Sequence, residues 1–253
     1  MSEFNLLESA GLPQKKKRDR EGVITQEDRE IAGKLAFDFY DGDRRYGYGG
    51  YIYDGRWKKV AESAKERYKL NPNSKVLIDR CHKGFLVHDL KQLIPEITVY
   101  GMHPKEYAIN HAMEGFGRWF LLNSKERNED PRIDIDPRLI EEKARDETSP
   151  FLIQADSREM PFGDNYFDCV ISIENACSFP EEECRQIVRE IVRVSKLSSH
   201  HCYIQNDSWE NEEQKKKLLN WSKLCKTFLD MDQWKKLYEE EYYHGDFGFT
   251  IIE

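Results

Sequence analysis

The first part of the chain has the hydrophobic spacing of helices. Apolar residues recur every four positions over residues 26–40, and Thr25 with Asp28 resembles a capping box, so a helix is predicted there. A second amphipathic stretch predicts a helix over residues 57–70, which the sequence Asn-Pro-Asn ends.

From residue 75 onward, short apolar runs alternate with helical patterns. The apolar runs predict β-strands at residues 75–79, 97–102, 151–154, 169–173, 201–205 and 248–252. Helices are predicted between and after them at residues 84–93, 104–113, 180–195, 211–225 and 230–241. Because strands separated by helices form a mostly parallel sheet covered on both faces, we predict an α/β protein. Its ligand site is expected beyond the carboxyl ends of the strands.

This alternation also suggests how the chain is divided. Residues 1–22 are polar and predict a flexible N-terminal tail. Residues 23–56 are predicted to form an N-terminal cap, and residues 57–253 the main domain. Within that domain, residues 115–148 are charge-rich and irregular, and we interpret them as an insertion with one helix over residues 138–145.

Residues 44–57 combine four tyrosines with four glycines. Glycine carries backbone entropy that a helix must remove, so this segment is predicted to be a loop. It either packs as a plain loop on the domain surface or forms a wall against a bound acceptor, since tyrosine offers area and a hydroxyl at low entropic cost. Under the second interpretation the substrate-binding candidates are Tyr46, Tyr48, Tyr51, Tyr53, Arg56 and Trp57.

Charge and composition exclude several classes of partner. The chain has 39 Lys+Arg against 47 Asp+Glu, a net charge of -8, which predicts no nucleic-acid partner and no membrane partner. No apolar run approaches the roughly 20 residues of a membrane span, and the start lacks a signal-peptide pattern, so a cytoplasmic location is expected. The 6 cysteines are scattered and are expected to be reduced thiols.

One stretch carries a family resemblance. Residues 155–172 place an acid after a strand, then Met-Pro-Phe, then an aromatic residue and Asp before the next strand, and residues 189–194 match the helix that follows. With the order of elements over residues 57–253, this resembles the class I S-adenosylmethionine-dependent methyltransferases. The resemblance implies a Rossmann-like methyltransferase fold with a mostly parallel seven-stranded sheet, and S-adenosylmethionine as cofactor.

The chain departs from that family at two strand ends. The family usually has Val-Leu-Asp-x-Gly-x-Gly-x-Gly after its first strand, whereas here Arg80 and His82 replace the first two glycines. The acid is displaced by one position to Asp79, which turns its side chain to the opposite face of the strand. At the end of the second strand, His103 replaces the acid that holds the ribose hydroxyls in the family.

The resemblance implies the site residues. The cofactor-binding candidates are Asp79, Cys81, Lys83, Gly84, Phe85, His103, Asp156, Ser157 and Glu174. Glu174 and Asp207 are the catalytic candidates, Glu174 as a general base for an acceptor hydroxyl or amine. The alternatives are a capping or solvated acid for Glu174 and a turn residue for Asp207.

A metal site is weighed and not predicted. Cys81, His82, His103 and His111 have side chains that bind zinc. They come singly along the chain instead of in the close pairs that mark metal sites.

Three functions fit these residues. The first is methyl transfer to a small polar acceptor of the surface-glycan or metabolite type. The second is a non-catalytic relative that serves as partner or scaffold of an active homologue, because the lost glycines and acid weaken cofactor binding by roughly two to four powers of ten. The third is an altered ligand or metal in the same cleft. A homodimer, or a heterodimer with a homologous methyltransferase, is the expected assembly.

Overall fold

A central sheet organises the molecule. The computed structural model describes residues 1–12, 14–16, 23–120, 150–197 and 201–253. The sheet's strands are β1 (Ser2–Glu3), β2 (Lys15–Lys16), β3 (Lys75–Asp79), β4 (Thr98–His103), β5 (Gly117–Phe120), β6 (Phe151–Gln154), β7 (Cys169–Ile173), β8 (Cys202–Ser208) and β9 (Asp246–Ile252). Their order is β1-β9-β8-β7-β3-β4-β6-β5, with β2 also pairing with β9.

Helices connect and cover these strands. They are α1 (Gln26–Gly33), α2 (Phe37–Tyr40), α3 (Trp57–Tyr68), α4 (Phe85–Leu93), α5 (Glu106–Asn110), α6 (Glu181–Val194), α7 (Glu212–Trp221) and α8 (Met231–Glu240). The capping box at the start of α1 is present as predicted. Among the described residues, no helix has the length and apolar character needed to cross a membrane.

Both faces of the sheet are buried. Leu77 packs into one hydrophobic cluster, whereas its neighbours Val76 and Ile78 pack into the other. Alternate side chains of a strand point to opposite faces, so helices must cover the sheet on both sides. Every strand pairing in the sheet is parallel. The predicted α/β class with a mostly parallel sheet is confirmed.

The structure adds local detail that the sequence analysis did not predict. The predicted helix over residues 26–40 is two helices, because Leu35 has a φ of 49° and turns the chain between α1 and α2. The sheet has seven strands of four or more residues, as predicted, but β1 and β2 add two short strands at its edge. Those strands, with the buried Leu6 and Leu7, pack part of the predicted tail against the domain.

The insertion predicted over residues 115–148 is only partly described. Its first residues form β5 at the sheet edge, a strand that the sequence analysis missed. The helix predicted over residues 138–145 lies outside the described residues.

The N-terminal cap covers the carboxyl edge of the sheet. Tyr51 stacks on Phe85 at the start of α4, with ring centroids 4.8 Å apart. Gly47 is needed here, because a Cβ at that position would lie 1.8 Å from the Phe39 carbonyl oxygen. The close approach of two cap segments therefore requires this glycine.

Candidate functional site

A cavity of about 470 Å³ lies between the cap and the carboxyl edge of the sheet. The predicted site residues that line it are Tyr48, Tyr51, Arg56, Trp57, Asp79, Cys81, Phe85, Glu174 and Asp207. The predicted site residues outside its lining are Tyr46, Tyr53, Lys83, Gly84, His103, Asp156 and Ser157. We call the cavity, which lies beyond the ends of β3, β7 and β8, the acceptor side of the sheet edge. We call the region of His103, Asp156 and Ser157, beyond the ends of β4 and β6, the nucleoside side.

The loop after β3 keeps an unusual backbone. Arg80, His82 and Gly84 have φ values of 56°, 52° and 80°. This left-handed conformation suits glycine and is uncommon for other residues. At Gly84 a Cβ would lie 3.1 Å from the Phe116 ring. The two side chains that replace glycines therefore enter the space above the sheet edge, and both line the cavity.

Tyr40 closes the nucleoside side. Its hydroxyl lies 2.9 Å from His82 Nδ1 and 2.9 Å from His103 Nε2, and both Tyr40 and His103 are fully buried. The Lys105 backbone N–H donates to His103 Nδ1 at 3.1 Å. The same Nδ1 lies 3.0 Å from the Lys105 carbonyl oxygen. The Tyr40 hydroxyl can donate one hydrogen bond and accept another, so it can bridge two neutral imidazole rings. We call these three residues the Tyr40 cluster.

Burial keeps both histidines of the Tyr40 cluster neutral. It lowers the pKa of His103 to about 3, and the nearby Arg80 and Lys105 charges act in the same direction. Burial also places the pKa of His82 well below its ordinary value, with contributions from Arg80 and His103. Neutral rings can accept hydrogen bonds, which the arrangement around the Tyr40 hydroxyl requires.

An ion pair fastens the cap to the loop. Lys83 Nζ lies 2.7 Å from Asp41 Oδ1, and the Tyr107 hydroxyl donates to Asp41 Oδ2 at 2.8 Å. Burial of Asp41 raises its pKa, but these donors outweigh that effect and the pKa is lowered. Lys83 is thus engaged by the cap and does not point into the cavity lining.

The Asp79 carboxylate serves the interior of the domain. It accepts hydrogen bonds from Ser157 Oγ at 2.6 Å, Ser172 Oγ at 2.8 Å and Asn175 Nδ2 at 2.7 Å. Burial raises its pKa, and the three donors oppose that shift. Asp79 and Ser157, both predicted to bind cofactor, are therefore partners of each other.

Asp156, the predicted adenine contact, is also engaged. Arg158 donates to both of its carboxylate oxygens, the shortest contact being 2.5 Å. Burial raises the pKa of Asp156, but Arg158 outweighs this and the pKa is lowered.

The two catalytic candidates lie together on the acceptor side. Glu174 has a φ of 52° and its Oε1 accepts a hydrogen bond from Thr250 Oγ1 at 3.2 Å. Asp207, which is 4% exposed, belongs to β8. Both line the cavity, so a polar ligand held there would meet two carboxylates.

Among the predicted substrate-binding residues, some contact neighbouring side chains and others form the wall of the cavity. The Tyr53 hydroxyl donates to Asp89 at 2.5 Å, and Arg56 pairs with Asp54. Tyr46 packs beside the Arg45 guanidinium. Tyr48 and Tyr51, with ring centroids 4.3 Å apart, form the aromatic wall of the cavity.

The structure gathers one set of potential metal ligands that the sequence analysis missed. The ligand atoms of Cys177, Asp207 and Cys225 lie within 4.8 Å of one another and are buried. They come from three separate segments, so no spacing in the sequence marked them. Of the four residues weighed from the sequence, His111 lies at the exposed end of α5 and stacks on Tyr107. The prediction of no metal stays a prediction.

Sequence analysis also missed Tyr40, Asp41 and the role of Arg80 in lining the cavity. Arg80 and His82 were noticed as replaced glycines, and that signal pointed to the right loop. Tyr40 left no signal, because it reaches the site from a segment 42 residues before its hydrogen-bond partner His82.

Comparison with known families agrees with this architecture. A model described as "Methyltransferase domain" matches residues 81–202, just under half of the chain. Residues 81–202 are therefore similar to a methyltransferase domain, which agrees with the resemblance seen in the sequence. None of the curated proteins compared with the chain matches it.

Several solved structures are similar to part of the chain. One similar structure is a candidate methyltransferase from Bacillus halodurans C-125, with 17% identity, a TM-score of 0.48, and coverage of 72% of this chain and 67% of that chain. Another is a candidate methyltransferase from Haloferax volcanii with the Trm112 methyltransferase activator, with 17% identity, a TM-score of 0.48, and coverage of 74% and 72%. A third is a SAM-dependent methyltransferase from Aquifex aeolicus, with 16% identity, a TM-score of 0.35, and coverage of 54% and 58%. At these identities and TM-scores the likeness says nothing of substrate or partner.

The residues of the nucleoside side do not fit the cofactor in this arrangement. In the family the ribose hydroxyls meet an acid at the end of the second strand, where this chain has the buried His103. The Tyr40 hydroxyl and the His82 ring take up the space beside it. Asp79 does not replace the missing acid, because its carboxylate is bonded within the domain.

Proposed function

We propose that this methyltransferase domain binds a small polar ligand in its acceptor-side cavity, without S-adenosylmethionine held in the manner of its family. The observation that carries the proposal is the Tyr40 hydroxyl, which lies 2.9 Å from two histidine nitrogens where a ribose would have to bind. The proposal corresponds to the altered ligand in the same cleft, the third function considered from the sequence. The non-catalytic partner of an active homologue and the homodimer or heterodimer stay predictions.

The packing of the sheet does not depend on the residues that bind the cofactor in the family. Buried apolar strands such as β3 and β7 hold the sheet together on both faces. None of the replaced family residues, which are at the loop after β3 and at His103, is needed for that packing. A methyltransferase fold can therefore persist after its nucleoside site has changed.

Isothermal titration with S-adenosylmethionine and S-adenosylhomocysteine tests the proposal. We expect no binding at millimolar ligand, because entry of the ribose must break both Tyr40 hydrogen bonds. Micromolar binding of either compound would overturn the proposal.

Methyl transfer to a small polar acceptor is the second candidate function, and two observations favour it. The loop after β3 keeps left-handed residues at positions 80, 82 and 84, which is where the family's glycines stand. Glu174 also lies on the cavity, where the resemblance implies a general base. This candidate requires Tyr40 to leave its position, and the same titration decides between the two. A surface glycan or a metabolite would be the acceptor.

A further inference from the structure

One buried cation in the cavity, Arg80, forms no ion pair with a described residue, although burial raises the pKa of the nearby Asp79 carboxyl and the Arg80 charge opposes that rise. Arg80 is 4% exposed and lines the cavity. Its Nη1 donates to the Glu174 carbonyl oxygen at 2.8 Å and to Ser178 Oγ at 2.5 Å, whereas its Nε is buried without a hydrogen-bond partner. Within the part of the chain that the structure describes, no carboxylate lies at ion-pair distance from this guanidinium.

A buried guanidinium without an anionic partner destabilises the folded protein, and a bound anion would offset this effect. Arginine stays protonated in proteins, so it cannot avoid the cost of burial by losing its charge. Both of its present acceptors are neutral oxygens. The left-handed backbone at Arg80 adds strain where a glycine would have none. Backbone strain and an incompletely hydrogen-bonded buried cation in a residue that lines the cavity together indicate a ligand site.

We infer that Arg80 binds the carboxylate of a small organic acid in this cavity. The inference rests on the proposed function, in which the acceptor-side cavity holds the ligand. A guanidinium forms strong charge-assisted hydrogen bonds with a carboxylate. A phosphate dianion fits less well, because Glu174 and Asp207 line the same cavity and repel additional negative charge.

The rest of the cavity sets the class of acid. Tyr51 stacks on Phe85 and packs against Tyr48, which gives the ligand an aromatic wall. Glu174 and Asp207 supply acceptors for a hydroxyl or ammonium group on the same molecule. The ligand class is therefore a small hydroxy- or amino-carboxylic acid.

Acetate and acetamide provide the direct test with the unmodified protein. They have the same number of heavy atoms but differ in charge, and their binding can be followed by titration of backbone amide NMR signals. We expect acetate to bind about tenfold or more tightly, because hydrogen bonds to an ionised pair are about twice as strong as neutral ones. The shifted amides should include those of Arg80, Glu174 and Ser178. Equal binding of the two compounds would overturn the inference.

Variants assign the effect to Arg80. Arg80→Gln removes the charge and should lower acetate affinity about tenfold or more, whereas Arg80→Lys keeps the charge without the planar fork and should lie between. Arg189→Gln, which removes a half-exposed arginine on α6, is the matched control and should bind acetate like the unmodified protein. Unchanged acetate affinity in Arg80→Gln would contradict the inference. If Arg80→Gln does not fold, the acetate and acetamide comparison decides alone.

The two proposals fail in different ways. Micromolar binding of S-adenosylhomocysteine with a retained preference for acetate would remove the proposed function and leave the carboxylate site. No binding of S-adenosylhomocysteine and no preference for acetate would remove the carboxylate site and leave the proposed function.

Discussion

The acceptor side and the nucleoside side belong to one sheet edge but differ in what their side chains contact. On the acceptor side, Arg80, Glu174 and Asp207 line an open cavity. On the nucleoside side, Tyr40 and His103 are fully buried and bonded to each other. The difference shows that two parts of one sheet edge can be packed differently, because each part depends on its own strand ends.

The largest expected effect comes from opening the nucleoside side. The triple variant Tyr40→Ala/His82→Gly/His103→Asp removes the Tyr40 cluster and restores an acid for the ribose hydroxyls. We expect its affinity for S-adenosylhomocysteine to exceed that of the unmodified protein by about 100-fold or more, since each tenfold corresponds to about 1.4 kcal/mol. Isothermal titration measures the gain.

The control for this variant is Tyr242→Ala, which removes a tyrosine that is 76% exposed and does not line the cavity. It should show no gain. A folded triple variant that binds no better than the control would mean that the Tyr40 cluster is not what excludes the nucleoside.

The second expected effect is a loss of folding stability at low pH. The pKa of His103 in the folded protein is about 3, below the ordinary 6.5. Its contribution to stability is therefore complete above pH 6.5 and is lost as pH falls towards 3. We expect the unmodified protein to lose several kcal/mol relative to His103→Gln between pH 7 and pH 4, at about 1.4 kcal/mol per pKa unit.

Urea unfolding at a series of pH values measures this difference. Equal slopes of stability against pH for the unmodified protein and His103→Gln would contradict a neutral, buried His103.

A third variant tests the carboxylate beneath the cavity. Asp79→Ala leaves the donors of Ser157, Ser172 and Asn175 without their acceptor. Because those groups are buried, we expect a loss of about 2 to 3 kcal/mol in the free energy of unfolding. Thermal and urea unfolding measure the loss in free energy of unfolding. A loss smaller than that of a surface variant would show that the three donors do not depend on the Asp79 carboxylate.

The raised pKa of Asp79 adds a pH signature of opposite sign to that of His103. Its stabilising effect is complete below the ordinary value of 3.8 and is lost as pH rises through the folded pKa. Relative to Asp79→Asn, which does not titrate, the unmodified protein should therefore become less stable as pH increases above 3.8. A difference that does not vary with pH would contradict the shift.

The smallest effect is expected at Asp156. Its carboxylate pairs with Arg158, whose side chain is 36% exposed, and neither residue lines the cavity. Exposed ion pairs contribute little, so Asp156→Asn should cost less than about 1 kcal/mol. It should also leave acetate affinity unchanged in the NMR titration. A weakened acetate affinity would mean that the two sides of the sheet edge are coupled.

Most of the fold could be predicted because it follows from local patterns. The runs that became β3, β7 and β9 are continuous apolar segments, and buried parallel strands have that composition. The break at Leu35 could not be predicted, because leucine rarely adopts a positive φ and nothing nearby marks it. Strand β5 was missed because its pairing with β6 depends on a partner more than 30 residues away in the chain.

The site was predicted less completely, for a different physical reason. Family resemblance located the strand ends, and replaced glycines identified Arg80 and His82. The sequence could not show that Tyr40 of the cap contacts His82 or that Lys83 pairs with Asp41. Nor could it show that Asp156 pairs with Arg158. Those contacts depend on side-chain positions in three dimensions, which strand spacing does not determine.

A crystal structure grown with millimolar S-adenosylhomocysteine tests the central claim most directly. The account predicts no bound nucleoside and a Tyr40 hydroxyl that still lies between His82 and His103. An adenosyl group beside His103, with Tyr40 displaced, would contradict it.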